Sequence, residues 1–451
     1  MPALVTTDPR LPVLVVGAGP AGLAAMAALK RDGVAFEGIE SHGGVGGIWD
    51  EGNPISSAYL GMHTAASRAT TYLLRPMPND WPHFVPLRLA WQYLNDFAED
   101  QGLNPHIRFG TRFLGAEKTS GGTWVAALRP NTAGETDRRE FRAIVFATGS
   151  HNLDHAAFDR SLLDDATANG MRAIHSAEYR GPSAFAGRRV LIIGVGASGT
   201  DIAAKLCDAA EQTILSVRTD PWIIPDAVLK WVPLLAKLGV APDRLAADTR
   251  WIPNQVRTGA FSAIVRLAIG DLRRFGLAPP QHRLFDRVPV LDRGIVHAIR
   301  AGRVVVRSAV TGFGHGVVRF ATHADEPIDD VIFATGFFRH YPLLPQVNGG
   351  ATRENIPSFY LFHANEPGLA YMTEVIGAGS CWPIFVEQGR AIAAYFAAEQ
   401  RGGRNVAALN MRRSVVTPSF KGKLFARADM FHIDYALYTR ALRRLVAWLE
   451  A

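Results

Sequence analysis

Residues 13–49 read VLVVGAGPAGLAAMAALKRDGVAFEGIESHGGVGGIW, and this stretch decides the fold. The apolar run 11–16 predicts a buried strand, and the Ala/Leu-rich run 20–30 predicts a helix that stops at Gly33. Gly17, Gly19 and Gly22 sit at the joint, with Pro20 and Ala21 between them. Such a turn sets backbone N–H groups and a helix N-terminus against a pyrophosphate. Gly17 permits the tight turn, Gly19 lets the phosphates approach, and Gly22 lets the helix pack on the strand. A second strand, 35–39, ends at Glu40, 18 residues after Gly22 (40 − 22). A carboxylate there accepts a ribose 2′-hydroxyl and repels a 2′-phosphate, so the first nucleotide is an unphosphorylated adenosine, as in FAD or NAD. The competing reading, a glycine-rich turn without a ligand, is the weaker one between a strand and a helix.

The same pattern returns downstream. Residues 189–206 read RVLIIGVGASGTDIAAKL, with Gly194, Gly196 and Gly199 repeating the opening glycines at an offset of 177 (194 − 17). Ser198, Thr200 and Asp201 belong to this second turn and helix. The partner strand 213–217 ends at Arg218, 19 residues after Gly199 (218 − 199). A guanidinium where the first unit has a carboxylate suits bidentate pairing with phosphate, which points to NADPH as the second nucleotide; a surface arginine at a strand end is the alternative. Residues 144–149, IVFATG, are echoed by 331–336, VIFATG, at an offset of 187 (331 − 144). Two dinucleotide units, one for a 2′-hydroxyl and one for a 2′-phosphate, imply electron traffic between a nicotinamide and a second redox cofactor, for which FAD is the economical choice.

The expected fold is therefore α/β with two Rossmann-type domains. An FAD-binding domain (1–160) is interrupted by an NADPH-binding domain (161–328) and completed by a return segment with C-terminal helices (329–451). At 451 residues the chain exceeds one ordinary core. Hydrophobic residues at 48% and charged residues at 20% describe a globular protein, and no apolar run reaches membrane-spanning length. No charged-then-apolar leader opens the sequence, so a cytoplasmic protein is expected. Cys207 and Cys381 lie far apart and read as packing residues. A net charge of +7 is compatible with anionic cofactors; the Arg-Arg pairs, 188–189 among them, are scattered over a solvated surface and no run of nucleic-acid type occurs.

Between these units the chain is less explicit. The weakly periodic stretch 50–85 is long enough to be functional and is expected to wrap a cofactor. Residues 87–101 read as a helix ended by Gly102, and 107–117 with 123–128 as a small antiparallel pair. Residues 222–277 read as a mostly helical insert whose segment 228–240 suits a substrate-channel wall or, less well, a membrane surface. A closing amphipathic helix, 435–449, reads as packing only.

With both units placed, the chain resembles the flavin-containing monooxygenases, the class B flavoproteins that include Baeyer–Villiger enzymes. The resemblance covers nearly the whole chain: the first GxGxxG, Glu40, Gly46-Gly47-Ile48-Trp49, the run 175–189, residues 194–203, 275–282 and 333–337, and the segment 379–390 with Gln388 on the flavin side. It implies that NADPH reduces FAD, that reduced flavin takes up O2 at C4a, and that a small organic substrate accepts one oxygen atom, by N- or S-oxygenation. Thr64 and Ala65 would mark the flavin–nicotinamide junction, and His175 would couple domain geometry to cofactor binding or make a structural hydrogen bond. A homodimer is a family-level expectation. The flavin supplies the chemistry, so few acid–base side chains are expected. Of the 14 histidines, His151 and His155 have HxxxH spacing without a partner ligand and read as chance.

Three departures stand out. Asn169 and Met171 occupy the aromatic and glycine positions of the family's aromatic-x-Gly-x-x-x-His-x-x-x-aromatic signature, which ends here in Tyr179, as in the heteroatom-oxidising branch. Thr64-Ala65-Ala66-Ser67 stands where many members carry Thr-Asn-x-Ser; alanine cannot donate that amide hydrogen bond, so the oxygenated flavin must be held by other groups or be shorter-lived. Residues 150–157, after the first Ala-Thr-Gly, lack the usual proline. The rivals are ketone oxidation of the Baeyer–Villiger type, an uncoupled NADPH oxidase, and a nucleotide sensor with a degenerate flavin site.

Overall fold

The computed structural model describes residues 10–132, 134–152, 154, 156–157, 159–225, 254–284, 286–338, 357–376, 379–412, 420 and 432–451. The opening strand β1 (Val13–Val16) is buried along its whole length, as four consecutive apolar residues require at the centre of a parallel sheet. Helix α1 (Pro20–Arg31) starts with proline, whose missing N–H costs nothing there, and ends in Lys30 and Arg31 at the negative pole of the helix dipole. It is followed by β2 (Phe36–Ile39), parallel to β1 with Val13 opposite Phe36. Helix α2 (Leu87–Asp100) buries Leu87, Ala90, Leu94 and Phe97 on one face and is stopped by Gly102 at φ +58.

The antiparallel pair expected from 107–128 is corrected in two ways. Ile107–Arg108 is a separate strand, β3, parallel to β2, and a third strand joins β4 (Thr111–Lys118) and β5 (Trp124–Pro130): β6 (Asp137–Phe141). Its charged sequence, DRREF, hides a strand whose charges are paired from neighbouring elements: Asp137 with Arg108, Arg138 with Glu117 and Arg139 with Glu37. The domain's last strand before the insertion, β7 (Ala143–Phe146), flanks β1 on the side away from β2.

The second unit holds α3 (Arg160–Ala168), β8 (Arg172–His175), β9 (Arg189–Ile193), α4 (Ala197–Leu206), β10 (Gln212–Ser216), β11 (Ile223–Pro225), α5 (Asn254–Ile269), β12 (Val290–Asp292), α6 (Ile295–Arg300) and β13 (Val304–Arg307). An antiparallel sheet follows, β14 (Val310–Gly314), β15 (Val317–Phe320) and β16 (Glu326–Pro327), and then β17 (Asp330–Phe333). The parallel order is β13-β10-β9-β17-β8. Since β17 lies between β9 and β8, the second unit continues through Phe333, beyond the boundary at 328. Asp330, fully buried, is anchored by Arg172 at 2.8 Å and by Arg188, while Arg189 pairs with Asp329 at 2.6 Å. The 188–189 pair is thus an anchor for the strand that re-exits the domain. The insert 222–277 opens with a strand, β11, parallel to β12, before its helix α5; the 228–240 segment lies outside the described residues.

Strand β18 (Leu369–Tyr371) returns the chain to β7 and completes the first sheet, ordered β18-β7-β1-β2-β3. Helix α7 (Trp382–Gln400) then crosses α1 closely: a Cβ on Gly389 would lie 2.8 Å from the Ala24 carbonyl oxygen. Helices α8 (Arg404–Arg412) and α9 (Tyr435–Glu450) follow it, and Tyr438 of α9 reaches Gln388 on α7 at 3.0 Å, so the last helix positions a predicted site residue as well as packing. Among the described residues, no helix is long and apolar enough to cross a membrane.

Candidate functional site

The two glycine turns have the same geometry. Gly17 and Gly194 take φ +107 and +114, a region that side chains disfavour. The helix caps Gly19 (φ −74, ψ −176) and Gly196 (φ −75, ψ −175) are nearly superimposable in dihedrals. Neither cap makes a side-chain hydrogen bond, and neither α1 nor α4 has an acidic residue in its first turn, so both N-termini offer backbone donors to an anion. A Cβ on Gly22 would stand 1.9 Å from the Gly17 carbonyl oxygen, and one on Gly199 would stand 2.1 Å from that of Gly194. Beneath each turn lies the alanine of an Ala-Thr-Gly: Cβ atoms on Gly17 and Gly194 would lie 2.6 Å and 2.4 Å from the Ala147 and Ala334 carbonyl oxygens. The repeated tripeptide therefore supports the turns.

At the first turn, Glu40 is buried with its charge met by protein donors. Its Oε2 accepts the Ala18 N–H at 2.7 Å, and its Oε1 accepts the His42 N–H at 2.9 Å and the Ser41 hydroxyl at 3.1 Å. A carboxylate has lone pairs beyond these three bonds for a ribose hydroxyl. The loop through Gly47, Ile48 and Trp49 folds over the turn: Gly46 N–H bonds the Ala18 carbonyl at 3.1 Å, and a Cβ on Gly47 would lie 3.1 Å from the Gly19 Cα. Asn53 and Ser56 hold the Gly47 and Ile48 carbonyls at 3.2 and 2.6 Å, and Trp49 meets Trp382 edge-on at 5.7 Å. A cavity of about 310 Å³ opens beside Ser41 and His42, lined also by Asn53, Ile55, Arg112 and Arg129. This cradle, too tight for a Cβ at Gly17, Gly22 and Gly47 and ending in a carboxylate, fits a dinucleotide with an unphosphorylated ribose.

The second turn differs in its side chains. Arg218 is exposed beyond the end of β10, whose last residue, Ser216, accepts the Gly194 N–H as Ile39 accepts that of Gly17. In this register Val217 matches Glu40, and Arg218 stands one residue further out. Ser198 is half-buried in the first turn of α4. Thr200 and Asp201 are turned to other tasks: the Thr200 hydroxyl donates to the Gly196 carbonyl at 3.0 Å, and Asp201 binds the Tyr59 hydroxyl and Lys205. Burial and then Asp201 push the Tyr59 phenol far above its ordinary range, so it stays a donor.

Tyr59 belongs to the 50–85 stretch, which thus grips the second unit. The Leu60 N–H bonds the Arg180 carbonyl at 2.9 Å, and Tyr59 packs edge-on against Tyr179 at 5.4 Å. Four residues further on, Arg293 of the second unit donates to the Thr64 carbonyl and, at 3.3 Å, to that of His63, with its guanidinium 5.3 Å from the Phe84 ring centre. Thr64 is buried, its hydroxyl accepting the Val85 N–H at 3.0 Å; Ala65, next to it, is exposed. The stretch spans the two units instead of only covering a cofactor.

Gln388 is fully buried, donating to the Thr373 carbonyl at 2.9 Å and the Tyr438 hydroxyl at 3.0 Å. Among the described residues its Oε1 and the Thr373 hydroxyl have no partner, and such buried orphans suit a polar ligand at the end of β18. His175 ends β8, fully buried. Its Nδ1 accepts the Ala177 N–H at 3.1 Å, so Nε2 carries the proton given to the Gly336 carbonyl at 3.0 Å, and burial holds the ring below its ordinary protonation range. It fastens the second Ala-Thr-Gly exit and makes the structural hydrogen bond weighed for it.

One group was missed. His151 is drawn to Glu374, Nδ1 to Oε2 2.7 Å, and Ser150 donates to the same oxygen at 2.5 Å. The two ends are 223 residues apart, and the only sequence cue was a carboxylate just past an apolar strand. His155, its HxxxH companion, lies outside the described residues, and no metal-holding cluster occurs among those described.

Two parallel sheets, each with its own glycine turn and Ala-Thr-Gly support, define a protein built on two dinucleotide-binding units. The family model "Flavin-binding monooxygenase-like" matches residues 11–401, and the chain belongs to that family; it is a flavin-dependent monooxygenase. Flavin-containing monooxygenase 5 of Cavia porcellus is 28% identical over 399 residues, 84% of this chain and 72% of that protein. Cyclohexanone monooxygenase in its loose conformation superposes with a TM-score of 0.70 at 17% identity, covering 97% of this chain and 98% of that one. S-allyl-L-cysteine S-oxygenase from Allium sativum gives 0.62 at 17% identity, covering 97% and 88%. At these identities the two structures establish the shared fold.

Proposed function

We propose that the chain uses NADPH, FAD and O2 to transfer one oxygen atom to a nitrogen or sulfur atom of a small organic substrate. One observation carries the cofactor pairing: a single turn geometry occurs twice, followed by a pinned carboxylate in the first unit and an exposed guanidinium in the second. The relatives named flavin-containing monooxygenase support the reaction class.

In this reading Gly17, Gly19, Pro20, Ala21 and Gly22 present the α1 N-terminus to the FAD pyrophosphate, Glu40 takes the ribose hydroxyls, and Gly47, Ile48 and Trp49 close over the phosphates. Gly194, Gly196, Ser198 and Gly199 do the same for NADPH, and Arg218 meets its 2′-phosphate. The flavin, when bound, supplies the redox and oxygen chemistry. The protein's share is placement: Arg293 and Tyr59 tie the stretch carrying Thr64 and Ala65 to the second unit, and would hold the two cofactor sites in a fixed relation. Gln388 and Thr373 offer buried polar atoms at the end of β18, and Trp49 packs edge-on against Trp382 at the start of α7.

Product analysis tests this. With NADPH, O2, methyl phenyl sulfide and cyclohexanone together, sulfoxide without lactone is expected. Lactone without sulfoxide would replace the reading by ketone oxidation, and peroxide equal to NADPH consumed with neither product would mark an uncoupled oxidase.

A further inference from the structure

Ser150, His151 and Glu374 lie just past the carboxyl ends of β7 and β18, neighbouring strands of the first sheet. Ligands of open α/β sheets bind along this edge. The second unit closes on the same place. Phe337, following its Ala-Thr-Gly, meets the His151 ring edge-on at 5.1 Å and the His175 ring on another side at 5.1 Å. From the 50–85 stretch, Ser57 donates to the His151 carbonyl at 2.7 Å. The backbone of His151 is therefore fixed, while its side chain keeps 42% of its surface exposed and that of Glu374 keeps 28%, enough for a small molecule to reach.

The connectivity sets the chemistry. Glu374 Oε2 and, at 3.2 Å, the Ser150 hydroxyl both approach His151 on Nδ1. A hydrolase triad needs carboxylate and hydroxyl on opposite ring nitrogens, so acyl transfer through Ser150 is ruled out by this arrangement. With Nδ1–H given to a carboxylate, the basic nitrogen of the neutral ring is Nε2.

We propose that His151, oriented by Glu374, is the base that takes the proton from a substrate ammonium group; the inference rests on the heteroatom-oxygenation reading above. An alkylamine, with a pKa near about 10, is almost wholly protonated at neutral pH. Its nitrogen lone pair, the site of oxygen transfer, is then tied up in an N–H bond. In the step proposed, that bond breaks, its electron pair stays on the substrate nitrogen, and the proton bonds to His151 Nε2. The resulting imidazolium is balanced by the Glu374 carboxylate, and its proton passes on to solvent at the exposed side of the ring. No electron changes hands in this step. Among the described residues, two further titratable groups stand near the pair. His175, behind Phe337, is kept neutral by burial, and the Cys381 thiol at the start of α7 is pushed up by burial and by Glu374. His151 is the catalytic residue and Glu374 a positioning residue.

A thioether has no proton to remove, which gives an internal control. The FAD-loaded enzyme is assayed with benzyldimethylamine and with methyl phenyl sulfide across pH, alongside His151→Gln and Glu374→Gln. Both variants should lose about 100-fold in kcat/KM for the amine at neutral pH, recovering as the pH nears that of the free amine, with the sulfide unchanged within about twofold. In enzyme labelled with nitrogen-15 histidine, adding the amine to the oxidised protein should move the His151 ring signals toward imidazolium values, and the sulfide should not move them. Equal losses for both substrates, an amine profile unaltered by either variant, or ring signals that stay in place would overturn the assignment. If the unsubstituted enzyme oxygenates neither substrate, the heteroatom reading fails and this inference falls with it.

Discussion

Replacing Gly199 by alanine separates the two nucleotide sites. Its new Cβ would stand 2.1 Å from the Gly194 carbonyl oxygen and 3.1 Å from the Ala334 Cβ, where carbon contacts settle near about 3.5 Å. The near atom is backbone, so relief requires the turn or the start of α4 to move by about 1 Å. A misplacement of that size in a positioned site costs about 100-fold, equivalent to about 2.7 kcal/mol of NADPH binding. Overpacking itself costs about 1–3 kcal/mol of stability. Calorimetric titration with NADP+ gives the Kd, flavin absorbance gives the FAD content, and a thermal melt monitors the fold. The expected result is a Kd raised about 100-fold with full FAD content, and Gly22→Ala should do the reverse, since its Cβ would stand 1.9 Å from the Gly17 oxygen. Loss of both cofactors from either variant, in protein that still melts cooperatively, would refute the assignment of one nucleotide to each turn.

Other expected outcomes can be checked separately. Arg218→Ala should weaken NADPH by about 10- to 100-fold, the worth of a charge-assisted phosphate contact, and leave NADH nearly unaffected; an unchanged preference by steady-state kinetics would defeat that residue's role. Asp330→Ala removes a buried carboxylate but leaves Arg172 and Arg188 half-exposed, so a loss of about 2 kcal/mol in urea unfolding is expected, below the cost of stranding a buried charge. His175 has its protonation depressed by burial. Its stabilising contribution is therefore complete above the unfolded value of about 6.5 and is lost as pH falls below it toward the folded value. His175→Gln should narrow the difference in Tm between about pH 7.5 and about pH 5.5, and an unchanged difference would contradict the buried neutral ring.

The parts of the fold that the sequence made legible are those where only glycine is tolerated. Gly17, Gly22, Gly194 and Gly199 are written into the chain because carbonyl oxygens stand where side chains would be. The apolar runs of β1 and β9 were legible for a similar reason, since a central parallel strand has no solvent face. Tertiary pairing was not legible. Residues 330–333 and 107–108 look alike locally whichever sheet they join, and β6 carries four charged residues in five. Arg293 acts on two backbone carbonyls, which no motif records, and Asp201 looked like part of a nucleotide helix until Tyr59 closed on it. His151 was weighed only as a metal ligand, because its partner is a carboxylate from the far end of the chain.

The most direct test of the account is turnover under oxygen-18 gas, with NADPH and methyl phenyl sulfide, following NADPH consumed, peroxide formed and the mass of the product. The account predicts one labelled oxygen atom in each sulfoxide and one sulfoxide for each NADPH. Unlabelled product, or peroxide equal to NADPH with no sulfoxide, would contradict it.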